Sequence, residues 1–132
     1  MLAGRHPEKL ALAARFGLDT GPARPGADLV VDATGSPTGL AAALDLVRPR
    51  GTVVLKTTIA AEHRIDLARA VVNEVSVVGS RCGPFEPALD ALASGRVQVG
   101  PLVEAIYPLA DAVAAFAHAA RPGALKVLVA PG

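Results

Sequence analysis

The sequence predicts a parallel α/β domain, and three observations carry that prediction. Short apolar runs rich in valine and leucine stand at 29–31, 52–56, 75–79 and 126–130, with stripes at helical spacing between them. The loops between these elements are short, and glycine or proline punctuates most of them. The first strand, its helix and the second strand take about 28 residues, the length of a right-handed parallel crossover.

The stretch 27–37 organises the chain. Leu29-Val30-Val31 has the length and β-branched content of a strand buried on both faces. The run breaks at Thr34-Gly35, and a helix start follows: Ser36 can cap it, and Pro37 suits a first helical position. Ligands of open parallel sheets lie outside the carboxyl ends of the strands, so Ala33, Thr34 and Gly35 stand where a ligand is met.

Before it, Met1-Leu2-Ala3 is too short for a useful strand, and a helix follows with Pro7 at its first position. Leu12 and Phe16 share one face of that helix and Gly17 stops it, while 19–26 reads as a connection. After 29–31, a helix from 37 to about 47 carries Leu40, Leu44 and Val47 on one narrow face. A turn at 48–51 leads to the strand 52–56, and 57–64 is a polar loop at the carboxyl edge. A short helix is expected within 65–72, with Leu67 and Val71 four apart, and then the strand 75–79. A helix over 84–94 presents Phe85, Leu89 and Leu92, and 102–107 is extended. Leu109, Val113, Phe116 and Ala120 mark a last helix, ended by Pro122-Gly123 before the strand 126–130.

Composition narrows the function classes. The 132 residues are 52% hydrophobic with three Phe, one Tyr and no Trp, so the core is made of Ala, Val and Leu. Few aromatics and a scattered net charge of +1 give no footprint for nucleic acid or an anionic membrane. One Cys and three dispersed His offer no metal-ligand spacing and no internal disulfide. No apolar run approaches the roughly 20 residues of a membrane span. No signal-peptide core precedes the first helix, so a cytoplasmic address is expected.

Three segments, ADLVVDATGSPTGLAAALDLVRPRGTVVL (27–55), AVVNEVSVVGSRCGPFEPALDAL (70–92) and YPLADAVAAFAHAARPGALKVLV (107–129), resemble the medium-chain dehydrogenase/reductase superfamily. The likeness is to the cofactor-binding half of the zinc-type alcohol dehydrogenases, in particular to a branch carrying GRHPEKL and GSRCGPF. The resemblance implies a partial Rossmann-type domain over 1–132, a truncated NAD(P)-binding region. Its first strand and G-x-G-x-x-G turn are expected to be absent, since no segment here fits that spacing. The zinc ligands of the family lie in a GroES-like domain that this sequence does not contain, so no catalytic or metal-binding residue is assigned.

The resemblance also implies the candidate cofactor residues. Arg5 stands where NAD-dependent relatives place an acid on the ribose, so Arg5, with Lys9, would hold a 2′-phosphate; the alternative is a solvated surface arginine. NADP is therefore favoured over NAD. Ala33, Thr34 and Gly35 would pass beneath the adenosine side, and Lys56, Thr57 and Thr58 would lie near the nicotinamide ribose. The alternative for Lys56, and the commoner case for such a lysine, is a snorkelling surface residue. Ser80 and Arg81 would lie near the carboxamide, while Cys82 reads as a small buried hydrophobe and His118 as part of a polar helix face. His6, His63 and His118 are isolated in sequence, and none reads as a zinc ligand.

Dimerisation through 71–79 is implied as well, with a nicotinamide cofactor as the other partner. The expected function is the cofactor-binding portion of an alcohol dehydrogenase-like oxidoreductase, inactive alone. The alternative is a non-catalytic binding or assembly module that kept the sheet.

Overall fold

The computed structural model describes residues 1–60, 62 and 64–132, so the reading of His63 lies outside the described residues. In chain order the elements are α1 (Pro7–Arg15), β1 (Ala27–Asp32), α2 (Gly39–Leu46), β2 (Val47–Leu55) and α3 (Ala68–Val72). They continue with β3 (Ser76–Gly79), α4 (Phe85–Ala93), β4 (Val103–Pro108), α5 (Ala112–Ala119) and β5 (Lys126–Ala130). Two compact units result: Gly21–Cys82, and Met1–Thr20 together with Gly83–Gly132.

The unit Gly21–Cys82 holds a three-stranded parallel sheet in the order β1-β2-β3. Val30 pairs with Val53, and Val53 with Val77, so one residue level crosses all three strands. Val53 is completely buried, and around it pack Ala43 and Leu44 of α2 with Val47 at the start of β2. This is the face expected from Leu40, Leu44 and Val47. The structure moves the start of α2, however, from Pro37 to Gly39. The Ser36 carbonyl accepts the Gly39 N–H at 3.1 Å, and the Ser36 hydroxyl turns to that of Thr38 at 2.9 Å. Residues 36–38 thus spend their hydrogen bonds on a turn before the helix begins.

Three further expectations are corrected in this unit. Burial of β1 on both faces is not found: Leu29 and Val31 are about half exposed, because α2 packs on one face of β1 and β2 only. The turn at 48–51 is instead a bulge inside β2, where the register jumps between Ala27↔Val47 and Leu29↔Thr52. Arg50 takes a left-handed φ of 63° there. In α3 the Leu67 and Val71 side is exposed, while Ile65 and Ala70 reach the core.

The unit Met1–Thr20 with Gly83–Gly132 contains a second strand–helix–strand arrangement. Parallel β4 and β5 are joined through α5, which packs on both of them. Leu2 forms a parallel bridge with Thr20, its N–H donating to the Asp19 carbonyl at 2.7 Å, so the first residues do form a strand contact. The face of α5 that packs is not the large apolar stripe. Ala115 is buried, whereas Val113 and Phe116 are mostly exposed, because a short side chain brings the helix close to the sheet. The expected stripe of α4, Phe85 with Leu89 and Leu92, is likewise exposed.

Candidate functional site

At the carboxyl end of β1 the chain builds a polar knot around one buried carboxylate. Asp32 is 2% exposed. Its Oδ1 accepts from the Thr34 N–H at 3.0 Å, the Thr34 hydroxyl at 2.8 Å and the Thr57 hydroxyl at 2.9 Å. The Asp32 carbonyl accepts the N–H groups of Lys56 and Thr57 at 2.8 and 3.1 Å, which fixes the exit of β2 beside that of β1. Gly35 then donates its N–H to the Thr57 hydroxyl at 3.2 Å. Gly35 has a φ of +63°, the left-handed region that favours glycine, and open space lies where a side chain would stand.

A second link joins β2 to β3. The Ser80 N–H donates to the Leu55 carbonyl at 2.9 Å, and the Lys56 ammonium reaches across to the Arg81 carbonyl at 2.7 Å. Lys56 is exposed, and its ammonium is engaged by backbone at the sheet edge. The structure therefore brings Thr34, Gly35 and Thr57 together around Asp32, and Lys56 together with Ser80 and Arg81. Ala33 lies on the exposed exit of β1 between Asp32 and Thr34. The reading of Cys82 is corrected: it is exposed, because β3 is the edge strand of its sheet and residues 80–82 run past its end.

Asp32 was missed by sequence reasoning. Its signal was an acid closing an apolar strand, followed two residues later by a threonine. That pattern becomes informative only with Thr57, 25 residues away, in place.

The other unit carries its own cleft, of about 410 Å³. One wall is the start of α1, with His6 and Lys9; the other is the turn 121–125. Lys9 therefore lines a concavity, whereas Arg5 is exposed and lies outside the lining. Glu104 of β4 and Arg121 also line the cleft, and neither was singled out from the sequence.

His118 corrects another expectation, since its side chain is only 11% exposed. Its Nδ1 meets the Tyr107 hydroxyl at 3.0 Å and its Nε2 meets Glu104 Oε1 at 2.9 Å. The second Glu104 oxygen accepts the Leu125 N–H at 2.7 Å. The Leu125 N–H first and the bond from His118 next hold the Glu104 carboxyl below its ordinary value of 4.5; burial, third in size, opposes them, and the charges of His118 and Arg121 add smaller lowering effects.

A depressed native pKa stabilises the fold above the unfolded value and ceases to do so as pH falls through the native one. An acid titration is accordingly expected to show stability falling from about pH 4.5 downward, with Glu104→Gln removing part of that slope. Equal slopes in the two proteins would contradict this. Among the described residues no group of three or more His, Cys, Asp or Glu can hold a metal ion, so the residues present do not fit zinc. No helix among them is long and apolar enough to cross a membrane.

Known proteins resemble this chain in sequence and in fold. The zinc-binding dehydrogenase family matches residues 1–94. D-xylulose reductase A of Aspergillus oryzae is 31% identical over 108 residues, which are 80% of this chain and 30% of that protein. L-idonate 5-dehydrogenase of Escherichia coli superposes with a TM-score of 0.85 at 25% identity, over 96% of this chain and 41% of the other. A Sinorhizobium meliloti 1021 protein described as a zinc-binding dehydrogenase, solved with NADP bound, has a TM-score of 0.84 at 24% identity. That likeness covers 98% of this chain and 44% of the other, and it shows the fold. The chain spans about 30% of the length of the curated relatives it matches. The parallel α/β architecture and the match over residues 1–94 lead to one conclusion: the chain belongs to the zinc-binding dehydrogenase family, in the alcohol dehydrogenase-like, medium-chain branch of the oxidoreductases.

Proposed function

We propose that residues 1–132 belong to an NAD(P)-binding domain, the cofactor-binding portion of an alcohol dehydrogenase-like oxidoreductase of the cytoplasm. The observation that carries this reading is the exposed, hydrogen-bonded backbone at Thr34-Gly35, braced by Thr57 at the carboxyl edge of a parallel sheet. Ala33, Thr34 and Gly35 take the adenosine side, Lys56 and Thr57 the nicotinamide ribose, and Ser80 and Arg81 the carboxamide. When bound, the nicotinamide supplies hydride transfer. This chain's residues bind and orient the cofactor.

Arg5 and Lys9 hold the 2′-phosphate, so NADP(H) is preferred to NAD(H). Lys9 in the cleft wall supports this. Arg5→Ala is expected to lower the NADPH-to-NADH affinity ratio about tenfold, the loss of one charge-assisted phosphate contact. Calorimetric titration of both proteins with both cofactors checks it, and an unchanged ratio would sink the assignment.

The chain alone oxidises no alcohol, because it contains no G-x-G-x-x-G turn for the pyrophosphate and no donor set for zinc among the described residues. Oxidation of simple alcohols above a heat-killed control would contradict that statement. Self-association runs through residues 71–79. In support, β3 is an edge strand exposed along its whole length, and Val71 and Val72 beside it are exposed. Sedimentation is expected to show dimers or larger species, and a clean monomer at high concentration would count against it.

A further inference from the structure

We infer that His118 is a positioning residue, setting one wall of the cleft between α1 and the turn 121–125 by clamping Glu104 onto the Leu125 amide. The inference rests on the reading of Lys9, in the opposite wall of that cleft, as a holder of the cofactor's 2′-phosphate.

The wall is a five-residue turn with little structure of its own. It contains Gly123 in the left-handed region at φ +84° and one internal bond, the Ala124 N–H to the Arg121 carbonyl at 3.1 Å. Both of its ends are tied to His118. At one end the Arg121 N–H donates to the His118 carbonyl at 3.0 Å. At the other, the His118 ring holds Glu104 at 2.9 Å, and Glu104 accepts the Leu125 N–H at 2.7 Å. Arg121 and Leu125, the residues so tied, both line the cleft opposite His6 and Lys9.

The ring has little freedom to do anything else. Its side chain is 11% exposed, Tyr107 meets it edge-on with centroids 5.8 Å apart, and the Tyr107 hydroxyl occupies Nδ1. A carboxylate cannot donate, so Nε2 carries the proton toward Glu104 whether the ring is neutral or cationic. In the neutral ring Nδ1 accepts from Tyr107, and in the cation it donates to the Tyr107 oxygen. The bond to Glu104 has the same direction in both states.

The test separates positioning from bulk stability. His118→Gln keeps a donor for Glu104 and an acceptor for Tyr107, whereas His118→Ala keeps neither. In the cofactor-free protein, the Leu125 amide proton is expected far downfield in wild type and His118→Gln and displaced in His118→Ala. Affinity for NADPH is expected to fall about tenfold in His118→Ala and to stay within about threefold in His118→Gln, the scale of one charge-assisted hydrogen bond. Should His118→Ala fail to fold, Glu104→Gln keeps the packing, and both the amide shift and the affinity should move.

The inference is overturned if the Leu125 amide ignores His118→Ala, if it moves while NADPH affinity does not, or if His118→Gln behaves like His118→Ala. A wild-type chain that binds no NADPH defeats the cofactor reading alone. The clamp then stands on an amide signature kept in His118→Gln and lost in His118→Ala, and it falls if the two variants agree.

Discussion

Asp32→Ala is expected to destabilise the chain by about 3 kcal/mol, because it removes three hydrogen bonds to one buried carboxylate at once. The Thr34 N–H, the Thr34 hydroxyl and the Thr57 hydroxyl all converge on one carboxylate oxygen at 2.8–3.0 Å, in a residue 2% exposed. Removing the acceptor leaves the Thr57 hydroxyl only the longer bond to the Asp32 carbonyl at 3.3 Å, turns the Thr34 groups to solvent and opens a gap beneath the start of α2. The effect extends beyond stability. Thr57 also accepts the Gly35 N–H, so the exit loops of β1 and β2 lose their brace together. Asp32→Asn retains one acceptor oxygen and should cost less. Urea unfolding of the three proteins measures the difference, and a loss below about 1 kcal/mol for alanine would mean that the knot contributes no more than an ordinary hydrogen bond.

The second large effect is expected at Gly39, where helix propensity and packing pull in opposite directions. Alanine is better than glycine inside a helix by about 1 kcal/mol, so propensity alone predicts a stabilised variant. A Cβ on Gly39, however, would collide with the Thr34 hydroxyl and with both oxygens of the Asp32 carboxylate. These atoms are held by the hydrogen bonds just described and cannot swing aside without breaking them. Gly39→Ala should therefore destabilise by about 2 kcal/mol, in the usual range for overpacking. The same collision predicts coupling. In Asp32→Ala the obstructing carboxylate is gone, so adding Gly39→Ala should cost clearly less than it does in wild type. A thermal or urea double-mutant cycle with strictly additive values would show that the helix start does not rest on the knot.

Much of the fold was legible because strands and helices announce themselves locally. The apolar runs at β1, β2, β3 and β5 are short and β-branched, and Leu40, Ala43, Leu44 and Val47 share a face that does meet Val53. What periodicity does not specify is which stripe finds a partner. Phe116 and Val113 make the stronger hydrophobic signal on α5, yet Ala115 is the residue that packs. In β1 the alternation of Val30 and Asp32 inward with Leu29 and Val31 outward is invisible in an unbroken apolar run.

The candidate site divides the same way. Thr34, Gly35, Lys56, Thr57, Ser80 and Arg81 were readable because strand ends are readable. Asp32 with Thr57 and Glu104 with His118 were not, because the partners stand 25 and 14 positions apart in the chain and meet only through the fold. Chain topology brings such partners together, and no local pattern encodes them.

The central claim is that this chain binds a nicotinamide cofactor at the carboxyl edge of its three-stranded sheet. The most direct measurement is an amide-resolved NADPH titration of the 132-residue protein. The account predicts saturable shifts at Thr34, Gly35, Thr57 and Ser80. Saturable shifts confined to α4, or none at millimolar NADPH with the fold intact, would contradict it.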